Sequence, residues 1–254
     1  MKKPEDGAPR MAPHSSRPIE QTLPFSVHVV TTEEQLLEVQ ALRSQAYGHH
    51  LPLVAESFGR ADPIDRERDT TIFYARDKAT GRMVGSARIQ TNRYAPLQIE
   101  RSVQLPPQRL GQRLAEITRL TVLPGYEHPV RMAMVKASYV FCVGMQVAGI
   151  MAGSRRSLVR QYSALGFTDL FEDERMVPLL HAGGMEHRIL FVNLITAESE
   201  WRQMNHPAYG FIFHTYHPDI AIFETVSAAM SHERAQATAQ AAAAAKPDYW
   251  TRAA

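Results

Sequence analysis

Cysteine is nearly missing from this chain of 254 residues: Cys142 is the only one, which excludes a disulfide within the chain and fits a reducing compartment. It lies in an apolar run with no basic neighbour to lower its pKa, so an inert buried thiol is expected rather than a nucleophile. A dominant charge sign is missing too. With 28 Lys and Arg against 26 Asp and Glu the formal charge is +2, which gives bulk electrostatics little hold on nucleic acid or an anionic membrane surface. No stretch is long and uncharged enough to span a bilayer, and the first residues hold no apolar run of signal-peptide length. A soluble cytoplasmic protein is expected.

What is present suffices for one substantial domain, since apolar residues make up 44% of the chain and this length can bury a full core. Residues 1–24 hold Pro4, Pro9, Pro13, Pro18 and Pro24 among polar neighbours, with little apolar surface to offset the entropy of ordering, so they read as a disordered arm. Residues 25–197 carry the patterning of a folded domain. Residues 198–254 read as a partly helical C-terminal extension, Ala-rich from Ser227 to Ala245.

Within the domain, Phe25 to Val30 alternates as a strand, and Thr32 with Gln35 forms a capping box for a helix running to about Tyr47. Leu36, Val39, Leu42 and Ala46 make its apolar stripe, with Arg43 beside the stripe. The segment from Asp62 to Asp69 concentrates charge in a loop. Thr71–Ala75 and Met83–Gln90 read as a hairpin with Arg88 inside its second strand. A long loop from Asn92 to Arg113 precedes the strand Leu114–Val122. A helix from about Met132 to Val143, a short strand Gln146–Ala152, and a helix capped by Ser154 and bearing Arg155, Arg156 and Arg160 follow. Met176–Leu180 and Arg188–Ile195 close the domain as paired strands. The order predicts an α/β (α+β) architecture: one mixed, mostly antiparallel sheet with helices on both faces.

The strand Leu114–Val122 carries the chemistry. Glu116 and Arg119 lie three residues apart in an apolar run, where strict alternation would put them on opposite faces. One β-bulge between them brings both to the same side, parts the strand from its neighbour and opens a cleft beside unpaired backbone groups.

Tyr162-Ser-Ala-Leu-Gly-Phe167, placed after a strand, helix and strand, gives the motif Tyr-x-x-x-Gly-Phe, and with the element order it resembles the GNAT acyltransferase superfamily. From Val27 to Leu170 the chain looks like the branch holding the acyl-homoserine lactone synthases and, more closely, the N-acyl amino acid synthases. The resemblance rests on Arg43, Asp62, Asp65, Arg88 followed by Ile89, and Glu116-Ile-Thr-Arg-Leu-Thr-Val122, which is similar to that branch's Glu-Leu-Ser-Arg-Phe-Ala-Val. It implies a GNAT-like fold with a splayed central strand, and transfer of a long acyl chain from acyl carrier protein to the amine of an amino acid, with no permanently bound cofactor. The donor group it implies is a phosphopantetheine thioester, on acyl carrier protein or on coenzyme A. Where lactone synthases carry aromatic residues in the first helix and the loop after it, this chain has Tyr47 and Phe58 and no tryptophan in that stretch. No Gln/Arg-x-x-Gly-x-Gly/Ala pyrophosphate loop follows Val122, which favours the carrier-bound donor.

An α-amine must lose a proton before attacking a thioester, and Glu116 is the candidate base, directly or through water. Arg119 shares its cleft. Arg43 or Arg88 suits the acceptor's carboxylate, with Asp62 and Asp65 in the same group, and backbone N–H groups of Leu120, Thr121 and Val122 suit the oxyanion. Tyr162 is the candidate proton donor to the departing thiolate, as the resemblance implies. The same charged residues equally read as a buried ion network that shapes the cleft. Arg155, Arg156 and Arg160 form a candidate docking patch for an acidic carrier protein, or an ordinary solvated face. Met132, Met134, Met145, Met151, Val135, Phe141 and Val147 serve the core or an acyl tunnel. His214-x-x-His217 and His49-His50 lack the carboxylates of a helical zinc site, so no metal is assigned. The alternatives are a lactone synthase, an N-acetyltransferase using acetyl-coenzyme A, and a non-catalytic lipid-binding module.

Overall fold

The strand Met83–Thr91 is buried at every one of its nine positions, which requires cover on both faces and places it inside a sheet rather than at an edge. The computed structural model describes residues 19–48, 62–228 and 230–231. Their strands are β1 (Ile19–Glu20), β2 (Phe25–Val29), β3 (Thr70–Asp77), β4 (Met83–Thr91), β5 (Leu114–Val122), β6 (Gly149–Ser154), β7 (Thr168–Asp169), β8 (Met176–Leu179), β9 (Met185–Asn193) and β10 (Thr215–Tyr216). The α-helices α1 (Glu33–Gly48), α2 (Glu127–Gly144), α3 (Val159–Ser163) and α4 (Ala197–Gln203) and a π-helical turn, Gly210–His214, accompany them, and residues 223–228 and 230–231 are helical as well. Eight strands form one sheet in the order β2-β3-β4-β5-β6-β9-β7, with β8 also on β9. Every pairing in it is antiparallel except β5 with β6. This is the mixed, mostly antiparallel sheet that the element order predicts.

One face of the sheet carries α2. Val130, Ala133, Met134, Ala137 and Phe141 pack on Phe73, Ala87, Ile89, Ala115 and Ile117, and Cys142 is buried among them, where burial pushes its thiol up as an inert group. The opposite face is shared. α1 lays Leu36, Val39, Leu42 and Ala46 on Ile72, Tyr74 and Met83, while Leu97, Ile99 and Leu105 from the β4–β5 connection cover Leu114, Met151 and Ile189. The expected capping box is formed: the Gln35 N–H donates to Thr32 Oγ1 and the Thr32 N–H to Gln35 Oε1, both at 3.3 Å.

Several boundaries differ from expectation. α2 starts at Glu127, because Pro129 falls in its first turn, where a missing N–H costs no helical hydrogen bond. Ser154 does not cap a helix; it ends β6, its Oγ donates to the Arg155 carbonyl, and a 3-10 turn (Arg156–Leu158) precedes α3. Arg155, Arg156 and Arg160 are exposed on three successive pieces of chain rather than on one helix. Residues 19–24 are not part of a free arm. β1 pairs with β10 and the Leu23 N–H reaches the Asp219 carboxylate at 2.7 Å, partners too distant in sequence for a local pattern to reveal.

The chain after residue 197 joins the same core. Trp201, Ile212, Ile220 and Ile222 belong to the α2-side cluster. Lys136 on α2 donates to the carbonyls of Phe211, at 2.7 Å, and Thr215, and lies 3.0 Å from His217 Nδ1. Burial brings its ammonium down to about 8. Gly166 of the Tyr-x-x-x-Gly-Phe motif sits at φ +81, and a Cβ there would stand 2.1 Å from the Trp201 ring, so the motif needs a glycine for both backbone and space. Phe58, His49, His50 and most of the Ala-rich stretch lie outside the described residues.

Candidate active site

β5 and β6 pair only over Leu114–Glu116 with Gly149–Met151. From Ile117 onward the two strands part, and β5 has no partner on that side among the described residues. On its other side the ladder with β4 slips: Arg88 faces Thr118 but Ser86 faces Thr121, so three steps on β5 answer two on β4. The extra residue marks a bulge, and Arg119 adopts φ +54 to make it. A bulge is therefore present in β5, formed at Arg119 and Leu120 rather than between Glu116 and Arg119, where Glu116, Ile117 and Thr118 pair regularly with Gln90, Ile89 and Arg88. It turns Arg119 toward the group of charges that Thr118 also touches.

That group is closely knit. Asp65, whose side chain is fully buried, takes Arg43 Nη1 at 2.7 Å and Arg88 Nη1 at 3.1 Å. Asp62 takes Arg88 Nη1 at 2.6 Å and Arg119 Nη2 at 3.4 Å, while its other oxygen accepts the Ile64 N–H and caps the 3-10 turn Pro63–Arg66. Arg88 Nε donates to Thr118 Oγ1 at 2.8 Å. Burial works to raise the Asp62 carboxyl, but the charge and hydrogen bond of Arg88 outweigh it and hold it below the usual range. Burial lowers Arg43 and Arg119. Arg43 Nε and Nη2 are buried without a hydrogen-bond partner among the described residues. Among the described residues, the guanidinium groups of Arg43, Arg88 and Arg119 thus meet the carboxylates of Asp62 and Asp65 in one network.

Glu116 lies at the fork itself, the last β5 residue paired to β6. Its side chain is fully buried, and one carboxyl oxygen, Oε2, accepts the Ile99 N–H at 2.9 Å. Burial raises the carboxyl to about 7, against the opposing effects of that N–H and of Arg88. Its other oxygen, Oε1, has no hydrogen-bond partner among the described residues and lies 3.4 Å from His181 Nε2. Sequence reading passed over His181, in the turn after β8, because nothing adjacent to it in the chain signals chemistry.

Tyr162 lies in α3, one residue before its end, with its ring edge-on to Phe167, 5.6 Å between centroids. Burial and the neighbouring Tyr47 push its phenol up to about 12, with Arg131 opposing. Tyr47 also acts on Arg119. Leu120, Thr121 and Val122 follow the bulge, with Thr121 Oγ1 donating to the Arg119 carbonyl at 3.0 Å. Beside the fork, on the α2 face, lies an apolar cavity of about 20 Å³ lined among others by Ile117, Val135, Ile150, Leu165, Phe167 and Trp201. Of the residues proposed for a tunnel, only Val135 lines it; Met132 and Met134 pack in the α2-side core and Met151 in the opposite one. His214 and His217 diverge, the first to the Tyr209 hydroxyl and the second to Lys136.

The start of α2, where a pyrophosphate would need free backbone donors, already holds an anion: the Glu127 carboxylate accepts the Gly125 N–H at 2.9 Å. Arg155, Arg156 and Arg160 take no part in the charged network.

Residues 38–185 match the family described as "N-acyl amino acid synthase FeeM". Among solved structures the chain is similar to FeeM, an N-acyl amino acid synthase from uncultured soil microbes, with 12% identity and a TM-score of 0.52 over 69% of this chain and 93% of that one. It is also similar to BjaI, a CoA-dependent acyl-homoserine lactone synthase, with 16% identity and a TM-score of 0.49 over 76% and 93% of the two chains. A GNAT-family acetyltransferase from Staphylococcus aureus Mu50 follows at 12% identity and 0.44, over 66% and 99%. No curated protein matches. The fold is the GNAT-like acyltransferase fold.

Proposed function

The chain belongs to the N-acyl amino acid synthase FeeM family and is an N-acyltransferase, and from that premise we propose that it moves a long fatty acyl chain from acyl carrier protein to the α-amine of a free amino acid. The observation that carries this reading is the position of Glu116 where β5 leaves β6: a carboxyl near 7 beside a gap between strands is suited to receive a proton at neutral pH. The amino acid enters with its carboxylate toward Arg43, whose Nε and Nη2 are unused and form one side of a guanidinium fork. Arg88, held by Asp62, Asp65 and Thr118, fixes the geometry of that group, and Arg119 adds charge at its rim. Of the backbone N–H groups of Leu120 to Val122, those turned away from β4, along the edge that β6 leaves unpaired, serve the developing oxyanion. Tyr162, protonated at any physiological pH, gives its proton to the departing thiolate. The acyl tail runs toward the apolar cavity at Ile117 and Ile150.

For the donor, the Glu127 carboxylate at the start of α2 supports acyl carrier protein over coenzyme A, since a pyrophosphate there would meet a like charge. The phosphopantetheine arm needs no such site. Exposed Arg155, Arg156 and Arg160 offer an acidic carrier protein a complementary surface. The cytoplasmic setting belongs to the same proposal; no helix among the described residues is long and apolar enough to cross a membrane. Mass spectrometry of lipid extracts from cells overproducing the protein tests the reading, with an open N-acyl amino acid expected. Accumulation of a lactone instead, or of no acylated amine, would overturn it.

A further inference from the structure

The apolar cavity beside the fork has walls from two sources. The sheet and its covering helix supply Ile117 of β5, Ile150 of β6 and Val135 of α2, and the chain that follows β9 supplies Ala197, Trp201 and Ile212. This second wall starts from the closed end of the fork. β5 and β6 run parallel, pair at their beginnings and part toward their C-terminal ends, whereas the Leu194 N–H, just ahead of α4, donates to the Ala148 carbonyl, just ahead of β6, at 3.0 Å. Trp201 is the bulkiest side chain of that wall and is buried. Its ring stacks on His206 with 4.0 Å between centroids and meets Phe213 edge-on at 5.6 Å, and Gly166 lies too close to admit a Cβ beside it. The π-helical turn that brings Ile212 to the cavity is tied to α2 by Lys136, next to Val135, through the Phe211 carbonyl at 2.7 Å. Among the described residues nothing charged lines the space, and Ser138 on its wall donates its hydroxyl to the Met134 carbonyl at 2.8 Å. The cavity therefore suits the apolar end of a ligand and not a head group.

We propose that Trp201 is the stop for the acyl tail and so sets the longest chain that the enzyme takes well. This rests on the acyl-transfer reading and deepens it. A thioester carbon held at the fork sends its tail inward, and the last carbons enter between Ile117 and Ile150 and end on the indole. At about 20 Å³ the cavity holds little more than one water-sized probe, so it takes the terminal methyl, and the wall behind it meets any longer tail. A closely packed ring there gives a sharp limit, because a further methylene forced into a filled space costs strain. Each methylene buried short of that limit is worth about fourfold in kcat/KM. The chain after β9 thereby takes part in choosing the donor, which its distance in sequence from Glu116 does not suggest.

The experiment measures kcat/KM for saturated acyl carrier donors of even length, from butanoyl to octadecanoyl, with wild type, Trp201→Leu and Ala197→Val. Wild type is expected to gain about fourfold per methylene up to a limit and to fall beyond it. Trp201→Leu, which shortens the wall, should move the limit to donors longer by about two carbons or more, and Ala197→Val, which thickens the same wall, should move it to shorter ones. A wild type that takes every length equally, or an unmoved limit in folded Trp201→Leu, would overturn the stop. Absence of N-acyl product from wild type with every donor would instead mark failure of the acyl-transfer reading. Should the wall variants melt early, fluorescence with the wall intact decides. In Trp250→Phe the remaining tryptophan is Trp201, and a donor of the limiting length with bromine in place of its terminal methyl must quench it more than one brominated near the thioester. Equal quenching by the two would overturn the proposal.

Discussion

Arg119 reaches Asp62 at 3.4 Å from a backbone held at φ +54. A non-glycine residue in that conformation costs on the order of 1–3 kcal/mol, and it is kept where the bulge opens β5. Arg119→Gly should relax the backbone while deleting the guanidinium. The expected result is stability within about 1 kcal/mol of wild type, since relief and loss offset, together with a clear fall in turnover, measured by denaturant melts alongside initial rates.

Asp65 joins Arg43 and Arg88 with a fully buried carboxylate. Replacing it leaves two desolvated guanidinium groups short of a counter-charge. Asp65→Asn, close in shape, should therefore destabilise the fold by about 3 to 5 kcal/mol. Chemical denaturation at neutral pH measures this. A change near zero would mean that water already reaches the network.

Stability and pH meet at Glu116. Its folded carboxyl is raised to about 7 from 4.5, so the native state holds this proton more tightly than the unfolded chain. The associated stability is complete below pH 4.5 and lost as pH rises through 7. Glu116→Gln keeps an acceptor for Ile99 and removes that loss, so above pH 7 the variant should be more stable than wild type by up to about 3 kcal/mol. His181 slopes the other way: its folded value is lowered from 6.5 to about 4, so its contribution disappears as pH falls through that window. Melting curves across pH 4 to 8 should show the two opposing in wild type and only the second in Glu116→Gln.

The basic residues around α3 are exposed and apart from the network, so they can be altered without touching the cleft. Arg155→Glu with Arg156→Glu should raise the KM for carrier-bound donor several-fold and leave the KM for a free pantetheine thioester unchanged. Steady-state kinetics with both donors reads the difference. An equal effect on both donors would place the patch outside carrier docking.

A bulge in β5 was legible in the chain because ionised groups are costly in an apolar strand, but its place was not: it was expected between Glu116 and Arg119 and falls at Arg119 and Leu120, between the Thr118–Arg88 and Thr121–Ser86 pairs. The α1 cap was legible because Thr32 and Gln35 are local. His181 was not, since its meaning comes from β8 returning it to Glu116 across the sheet. Lys136, too, appears as one charge in an apolar helix until the carbonyls of Phe211 and Thr215 close over it. The engagement of Arg88 by two aspartates depends on where the Asp62–Asp65 turn lands, which no periodicity reports.

Single-turnover mixing of purified protein, fatty acyl carrier protein and amino acid, with thiol and product followed together, tests the central claim that the Glu116 carboxyl at the β5–β6 fork drives acyl transfer. The account predicts stoichiometric N-acyl amino acid and free thiol from wild type, and a rate lower by about 10² to 10⁴ in Glu116→Gln that folds as well or better. Equal rates in the two proteins would contradict it.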